Sequence, residues 1–346
     1  MSHEICSIFL QVVAAIYLSS TASLANAESG NAVTVGVTSI MSGDLGLLGK
    51  NVVDTVKTYE KHYLRHNIKF IYEDARLSST DGLRAYQKLI SVDKVDMIIG
   101  GCSSNGTMAA TRLINSSKTP TVTIVTGGEN IDRAGPYIFR IGNSDTLNGI
   151  QESKNFLSKG LTKIALLTEE TEYTQDISKA FRPHFTENGG SIVFDQSFLP
   201  EERDFKGLIT LIKKRSPQAI LMPTQTGTAL GIFVKQWSEL AGKQIEIHTS
   251  FVAAPNPDAH AIAGESIDGV YYMAPEYDGD SAAWKEFLER YKRDHTKDPE
   301  IPFHSAGTVD ALNLLQEYVE RPYRYGYFNF GKHPTIGVRI SPVILF

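Results

Sequence analysis

The strongest constraint on the fold is an alternation of short apolar runs with helical patterns along most of the chain. In the first half, runs rich in β-branched residues lie at 32–40, 68–74, 95–101 and 120–125. Helical patterns lie between them at 47–65, 80–92 and 105–116. Each of these patterns is preceded by a glycine or a small polar residue, which suits helix capping. This βαβα order predicts a parallel sheet with helices on both faces.

The same order begins again after residue 145. The apolar runs of the second half lie at 162–170, 190–198, 217–224 and 244–251, and two later helical patterns lie at 281–295 and 304–320. The chain has 346 residues and no Pro/Ser-rich linker between the halves, so it is long enough for two similar lobes packed closely together. We therefore expect an α/β fold that binds its ligand between two lobes, beyond the carboxyl ends of the strands.

The first 27 residues have the pattern of a signal peptide. An apolar stretch at 8–18 is followed by Ala25-Asn26-Ala27, the small-x-small pattern of a signal peptidase site. We expect export and a soluble, periplasmic mature protein, because no later apolar run is long enough to span a membrane. The segment contains Glu4 and no Lys or Arg, so an uncleaved anchor or a misplaced start codon is the alternative.

Charge and motifs argue against several classes of function. Lys and Arg total 34 against 39 Asp and Glu, with one short basic cluster at 211–215, so nucleic acid is not an expected partner. The chain contains no GxSxG, P-loop, HExxH or CxxC motif, and we expect no catalytic residue, cofactor or metal. The glycines of 41–49 lack both nucleotide-loop spacings and indicate a turn. His62 and His66 form a weak candidate metal pair by their spacing.

Cys102 leaves one enzymatic alternative open, a thiol nucleophile activated near a helix N-terminus. No histidine is identifiable as its base, and a buried, unreactive cysteine at the end of a strand is the other interpretation. The second cysteine, Cys6, lies within the predicted signal peptide. We therefore expect no intrachain disulfide in the mature protein.

The stretch at 97–111 indicates where a ligand binds. An apolar run is followed by two glycines, then by cysteine, two serines and asparagine, before small helix-forming residues begin. This pattern predicts a buried strand that ends in a small-residue loop and the N-terminus of a helix. The unpaired backbone N–H groups of a helix N-terminus favour an anion. The stretch therefore suggests a site for a small acid.

Six segments, taken in order, resemble the branched-chain amino-acid binding proteins of bacterial ABC transporters. These segments are 35–59, 71–90, 96–114, 125–145, 165–181 and 202–214. The resemblance covers roughly residues 32–320, and its most specific parts are the Cys-Ser-Ser turn and the stretch that ends in Phe139-Arg140.

The resemblance implies the type I periplasmic-binding-protein fold, with two doubly wound lobes joined by crossover hinges. Lobe 1 would comprise residues 28–143 and about 277–320, and lobe 2 residues 144–276. Hinge motion near 142–144 and 274–277 would close the lobes. The tail from 321 to 346 departs from the family's pattern and has no assigned fold.

The family's ligand-binding residues fall on several positions of this sequence. Ser103 and Thr126 would hold a ligand carboxylate, with Ser104 and the loop amide near Ile124 beside them. Tyr173 would cover the ligand from lobe 2. Leu48 would be a bulky lid residue. The alternatives are a helix-capping role for Ser103, a surface position for Tyr173 and core packing for Leu48.

Two departures from the family's pattern concern the ligand's amine. The acidic residue expected to bind the ammonium falls near Ser250 or Phe251, and an expected tyrosine falls near Gln225 and Thr226. Gln225, Thr226 and Phe251 still count as pocket residues. An amino acid would nevertheless lack a clear counter-charge unless Glu276 or Asp278 supplied it.

We therefore expect a monomeric, non-enzymatic binding protein. It would capture a small carboxylate ligand, an amino acid or a related organic acid, and deliver it to an ABC permease in the membrane. A ligand-sensing module of the same fold that signals to a regulator is the alternative. A hydrolase that uses Cys102 is a third interpretation.

Overall fold

The computed structural model describes residues 32–101, 103–142, 144–242, 245–320, 339–340 and 344–345. The predicted signal peptide, Cys102 and most of the tail lie outside the described residues. So does Asn143 of the predicted hinge.

The first sheet contains five parallel strands in the order β2-β1-β3-β4-β5. They are β1 (Val33–Ser39), β2 (Ile68–Asp74), β3 (Met97–Gly100), β4 (Thr121–Thr123) and β5 (Ile138–Arg140). Its helices are α1 (Gly46–His62), α2 (Ser79–Gln87), which continues as a π-helical turn (Lys88–Val92), and α3 (Ser104–Ser117). A 3₁₀ turn (Glu129–Arg133) follows β4. The predicted parallel sheet is confirmed.

The second sheet repeats this architecture with five parallel strands in the order β10-β9-β8-β6-β7. They are β6 (Lys163–Glu169), β7 (Ser191–Phe198), β8 (Ala219–Met222), β9 (Glu246–Ser250) and β10 (Val270–Met273). Its helices are α4 (Asp145–Ser158), α5 (Glu172–Glu187), α6 (Lys206–Arg215), α7 (Gly227–Ala241) and α8 (Pro257–Ala263), with a 3₁₀ turn (Gly264–Ile267) after α8.

The chain then returns to the first sheet through α9 (Ala282–His295) and α10 (Pro302–Glu320). Asn51 of α1 donates its amide to the Ile301 carbonyl oxygen (3.1 Å) and to Ser305 Oγ (2.8 Å). His62 Nε2 lies 2.9 Å from Asp294 Oδ2. We call the first sheet with α1–α3, α9 and α10 lobe 1, and the second sheet with α4–α8 lobe 2.

Short strands after lobe 2 involve the described part of the tail. Strand β11 (Pro275–Glu276) pairs antiparallel with β12 (Arg339–Ile340). Strand β13 (Ile344–Leu345) pairs antiparallel with β10 at the edge of the second sheet. These four tail residues thus lie beside lobe 2 and the crossover that leaves it.

Burial on both faces explains why the strands read as continuous apolar runs. Val35 and Val37 of β1 and Ile98 and Ile99 of β3 are fully buried, and each contributes about 1.5–3 kcal/mol of hydrophobic stabilisation. Gly100 ends β3 with φ +148°, and a Cβ there would lie 1.9 Å from the Thr38 carbonyl oxygen. Glycine is therefore required where the chain turns toward Ser103.

Two local expectations differ from the structure. The predicted helix at 47–65 ends at His62, so His66 lies beyond it and the two histidines do not share a helix face. The predicted strand at 120–125 keeps sheet geometry only over Thr121–Thr123. The chain then turns away, with the Ile124 amide still bonded to the Gly100 carbonyl oxygen at 2.9 Å.

Candidate functional site

The loops that follow the strands of the two sheets face each other where the lobes meet. In the loop after β4, the Glu129 amide donates to Asp176 Oδ2 on α5 at 2.8 Å. On the other side, Asn256 Nδ2 of lobe 2 donates to the Asp44 carbonyl oxygen of lobe 1 at 2.7 Å. These two contacts hold the lobes together in the region where the loops that carry the predicted ligand-binding residues meet, and we call this region the interlobe cleft.

Ser103 and Ser104 begin α3 at the lobe 1 side of this cleft. Ser103 caps the helix, since its Oγ accepts from the Gly106 amide at 3.2 Å. Ser104 Oγ accepts from the Gly128 amide at 3.3 Å, which ties the two loops together. In both cases the hydroxyl is an acceptor, and its own hydrogen can still be donated to a carboxylate. Capping and ligand binding are therefore compatible roles.

Thr126 has unused hydrogen-bonding capacity on the lobe 1 side. Its Oγ1 is buried and has no hydrogen-bond partner among the described residues. It lies close to Gly101, where an added Cβ would be 2.9 Å from it. Burying an unpaired hydroxyl is unfavourable, so this atom marks a position for a ligand or a water molecule.

Ile124 and Leu48 are placed differently from Thr126. The Ile124 amide is already used by Gly100, and its side chain packs against α10 near Gly307, so it offers an apolar wall. Leu48 is buried in the main hydrophobic core on α1, together with Val52. This environment agrees with the core-packing interpretation of Leu48.

Tyr173 contributes the lobe 2 side of the cleft. A capping box between Thr171 and Thr174 fixes the start of α5 around it. Its hydroxyl is buried with no hydrogen-bond partner in the described part of the chain. Burial, together with the nearby Asp145 carboxyl, holds the pKa of Tyr173 well above its usual range, against a smaller opposite effect of Ser250. The phenol therefore stays protonated and can donate.

Gln225 and Thr226 are held by a buried carboxylate that sequence reasoning did not single out. Glu169, at the end of β6, accepts from Thr224 Oγ1 at 2.7 Å and from the Gln225 amide. It also accepts from the amide and hydroxyl of Thr226, at 3.1 and 2.8 Å. The Thr226 hydroxyl is thus already donated within the protein. Glu169 therefore fixes the conformation of the loop that carries Gln225 and Thr226.

Phe251 connects the two lobes through aromatic contacts. Its ring centroid lies 5.9 Å from that of Tyr173 and 4.8 Å from that of Phe303 on α10, in T-shaped arrangements. His304 lies 6.2 Å away in the same way. At the position where an acidic residue was expected, the structure therefore has an apolar contact across the cleft.

His304 is a further residue that sequence reasoning missed. Both of its ring nitrogens are buried and lack hydrogen-bond partners among the described residues. Burial lowers its pKa to about 3, so the ring is neutral at physiological pH. His304 lies one helical turn before Gly307, which is close to the Ile124 side chain. Its ring also contacts that of Phe251. His304 therefore lies near the predicted ligand-binding residues. Its place within a continuous helical pattern gave no signal of this.

Asp145, at the first position of α4, is the third residue that sequence reasoning missed. It is 3% exposed, and its Oδ2 has no hydrogen-bond partner within the described ranges. Its amide donates to the Gly127 carbonyl oxygen at 2.8 Å, next to Thr126. Burial raises the pKa of Asp145 well above its usual range, with further effect from Asp176. In the sequence, an aspartate that directly follows Ser144 looks like the ordinary start of a helix, so it gave no indication of a special role.

Comparison with known proteins decides the family. The sequence pattern of the periplasmic binding protein family matches residues 32–326. This chain belongs to that family. The family is non-enzymatic, so the chain is a binding protein and the hydrolase interpretation is wrong. No group of three or more metal-ligating side chains occurs in the described portion of the structure, and no described helix is long and apolar enough to cross a membrane.

Individual relatives are distant but match most of this binding protein. A "Leu/Ile/Val-binding protein homolog 6" of Brucella abortus is 22% identical over 306 residues, which cover 86% of this chain and 78% of the relative. The leucine binding protein of Thermotoga maritima superposes with a TM-score of 0.76 at 22% identity, covering 84% and 83% of the two chains. The predicted resemblance and the type I fold are confirmed.

A third similar protein carries a different ligand. The solute binding protein of an ABC transporter from Rhodopseudomonas palustris, solved with p-hydroxybenzoic acid, superposes with a TM-score of 0.76. It is 23% identical, and the match covers 86% of this chain and 83% of that one. At these identities the likeness defines the fold of the binding protein.

Proposed function

We propose that the protein is an extracytoplasmic solute-binding protein of an ABC-type uptake system. It holds a small carboxylate-bearing ligand in the interlobe cleft and delivers it to a membrane permease. The observation that carries the proposal is the buried, unpartnered hydroxyl of Thr126, in a loop of lobe 1 that Ser104 Oγ joins through the Gly128 amide. The hydroxyl groups of Thr126, Ser103 and Ser104 are the donors that would bind the carboxylate oxygens.

The proposed working cycle follows from the fold. Lobe 1 anchors the carboxylate, and Tyr173 and Phe251 of lobe 2 contact the rest of the ligand. Ligand contacts with both lobes stabilise the closed arrangement relative to an open one. The protein works as a periplasmic monomer. The leucine binding protein of Thermotoga maritima and the Rhodopseudomonas palustris protein solved with p-hydroxybenzoic acid support a carboxylate as the common element of the ligand.

Thr126→Val is expected to abolish carboxylate binding while leaving the unliganded protein as stable as before. Valine keeps the shape of threonine and removes a hydroxyl that has no partner, so the folded state loses no hydrogen bond. The measurement is the thermal shift with a panel of amino acids and of aliphatic and aromatic acids, since binding to the native state raises Tm.

Thr121→Val is the matched control for this experiment. Thr121 is equally buried on β4, away from the cleft, and its hydroxyl donates to the Thr119 carbonyl oxygen at 3.2 Å. The control should lose about 1 kcal/mol of stability and keep the full ligand shift. If Thr126→Val retained the wild-type shift, or if no carboxylate shifted the folded wild type, the proposed site would be wrong.

Asp145→Asn is expected to stabilise the unliganded protein at pH 7 by about 1–3 kcal/mol. The pKa of Asp145 is raised in the folded state, so below the unfolded pKa both states are neutral and stability is unaffected. As the pH rises above the unfolded pKa, Asp145 loses its proton more readily in the unfolded state than in the folded state, so the free energy of unfolding decreases. The gain from Asn should therefore disappear below about pH 4. Urea unfolding across pH measures it.

The same substitution tests whether Asp145 is the counter-charge for a ligand amine. Its unpartnered Oδ2 lies next to the Thr126 loop, where an ammonium beside the bound carboxylate would lie. We expect Asp145→Asn to weaken binding of amine-bearing acids and to spare acids without an amine. Equal effects on both ligand classes would exclude this role.

A further inference from the structure

Lobe 2 contains a cavity directly behind Tyr173. It lies between α4, α5 and the ends of β8, β9 and β10, and its lining includes Glu152, Tyr173, Ile177, Thr249, Phe251 and Met273. The empty space amounts to about 310 Å³ with its open side included, and the interior has room for about one water-sized group. Tyr173 and Phe251, which line this cavity, are also two of the predicted ligand-binding residues.

Three polar atoms of the cavity lining are buried without hydrogen-bond partners among the described residues. They are Glu152 Oε2, Thr249 Oγ1 and the Tyr173 hydroxyl. The rest of the lining includes apolar side chains such as Ile177, Leu221 and Met273. Unpaired polar atoms in such surroundings are costly, and an occupant that donates hydrogen bonds removes the cost.

The other oxygen of Glu152 is already engaged. Glu152 Oε1 lies within hydrogen-bond distance of His248 Nδ1, and His248 Nε2 lies 2.8 Å from Glu246 Oε2. The His248 ring also stacks on Tyr271, with centroids 4.7 Å apart. This packing fixes the carboxyl group of Glu152, which is 2% exposed, and leaves Oε2 for the occupant of the cavity.

We propose that this cavity is a selectivity pocket for a hydrogen-bond donor at the end of the ligand remote from its carboxylate. The inference rests on the proposed function, in which lobe 1 anchors the carboxylate. A hydroxyl or ammonium group matches the size of the cavity and satisfies Glu152 Oε2 and Thr249 Oγ1 together. A second carboxylate is disfavoured there because its oxygens only accept hydrogen bonds and would leave Glu152 Oε2 without a donor. The ligand class is therefore a monocarboxylic acid with a distal hydroxyl or amine.

Two pairs of acids test the pocket by isothermal titration calorimetry. The pairs are benzoate with 4-hydroxybenzoate and hexanoate with 6-aminohexanoate; the members of each pair differ by the distal donor alone. We expect the donor-bearing acid to bind at least about tenfold more tightly in one of the pairs, the discrimination that one satisfied buried polar group provides.

Glu152→Gln and Thr249→Val are the test variants, and each should reduce this preference to about threefold or less. Thr249→Val removes a hydroxyl without a partner and should fold normally even if Glu152→Gln does not. Thr168→Val is the control, because Thr168 is buried in lobe 2 and its hydroxyl bonds to Ser178 Oγ at 2.7 Å rather than lining the cavity. The control should keep the preference.

Each contrary result has a distinct meaning. Equal binding within both pairs would overturn the selectivity pocket, leave the carboxylate site intact and indicate that the cavity holds only water. A preference that survives both test variants would also overturn it, because the donor contacts would lie elsewhere. If none of the four acids bound to the folded protein while another acid of the thermal-shift panel did, the pocket alone would be overturned; if no acid of the panel bound, the carboxylate function and the pocket would fail together.

Discussion

Glu169→Ala is expected to lower the free energy of unfolding by about 3–5 kcal/mol. The carboxylate of Glu169 is fully buried and accepts four hydrogen bonds, from Thr224, Gln225 and both the amide and hydroxyl of Thr226. Alanine would leave four donors of buried residues without an acceptor. Each orphaned donor carries a desolvation cost, although partial relaxation of the loop reduces the sum.

The neighbouring residue provides the control for this prediction. Glu170 is exposed, and its backbone amide, which donates to the Phe198 carbonyl oxygen at 2.9 Å, is kept in an alanine variant. Glu170→Ala should change stability by less than about 0.5 kcal/mol. Urea unfolding followed by circular dichroism compares the two variants. A loss below about 1 kcal/mol for Glu169→Ala would mean that this carboxylate does not hold the loop.

Acidification below pH 6.5 is expected to destabilise the protein through His304. Burial lowers the pKa of His304 to about 3 in the folded state, whereas the unfolded residue titrates near its ordinary 6.5. Between these values the unfolded state binds a proton that the folded state does not. The resulting loss of stability approaches about 1.4 kcal/mol per pH unit and reaches its full size near pH 3.

Comparing variants separates the contribution of His304 to the pH dependence of stability from the contributions of other titratable groups. His304→Gln cannot take up the proton, so its stability should fall less steeply than that of the wild type between pH 6 and about 4. His260→Gln is the control for loss of a histidine as such, because the side chain of His260 is exposed. Parallel pH profiles for His304→Gln and the wild type would show that His304 is accessible to protons in the folded state.

The sequence predicts the strands and their order along the chain because both faces of each sheet are buried. Continuous apolar runs such as β1 and β3 follow directly from that burial, and the turn after β3 requires the glycine at position 100. Ser103 and Thr126 were predicted from the resemblance, and the structure places both on neighbouring loops of lobe 1. Their binding role stays a prediction.

The residues that sequence reasoning missed depend on contacts between distant segments. Glu169 bonds to a loop more than fifty residues later in the chain, and Glu152 lies next to His248, almost a hundred residues away. Each acid occupies an unremarkable position in its own helix or strand. Whether such a side chain faces solvent, the core or a cleft follows from the order of strands in the sheet, which the sequence pattern alone does not specify.

The packing of Phe251 against Phe303 across the lobes also constrains how ligand preference changes during evolution. An acidic side chain at position 251 would place a charge against the Phe303 ring, while a smaller residue at 303 would uncover the ring of Phe251. Because the two side chains are in contact, we expect substitutions at 251 and 303 to have non-additive effects, so that a charge at one position calls for a compensating change at the other.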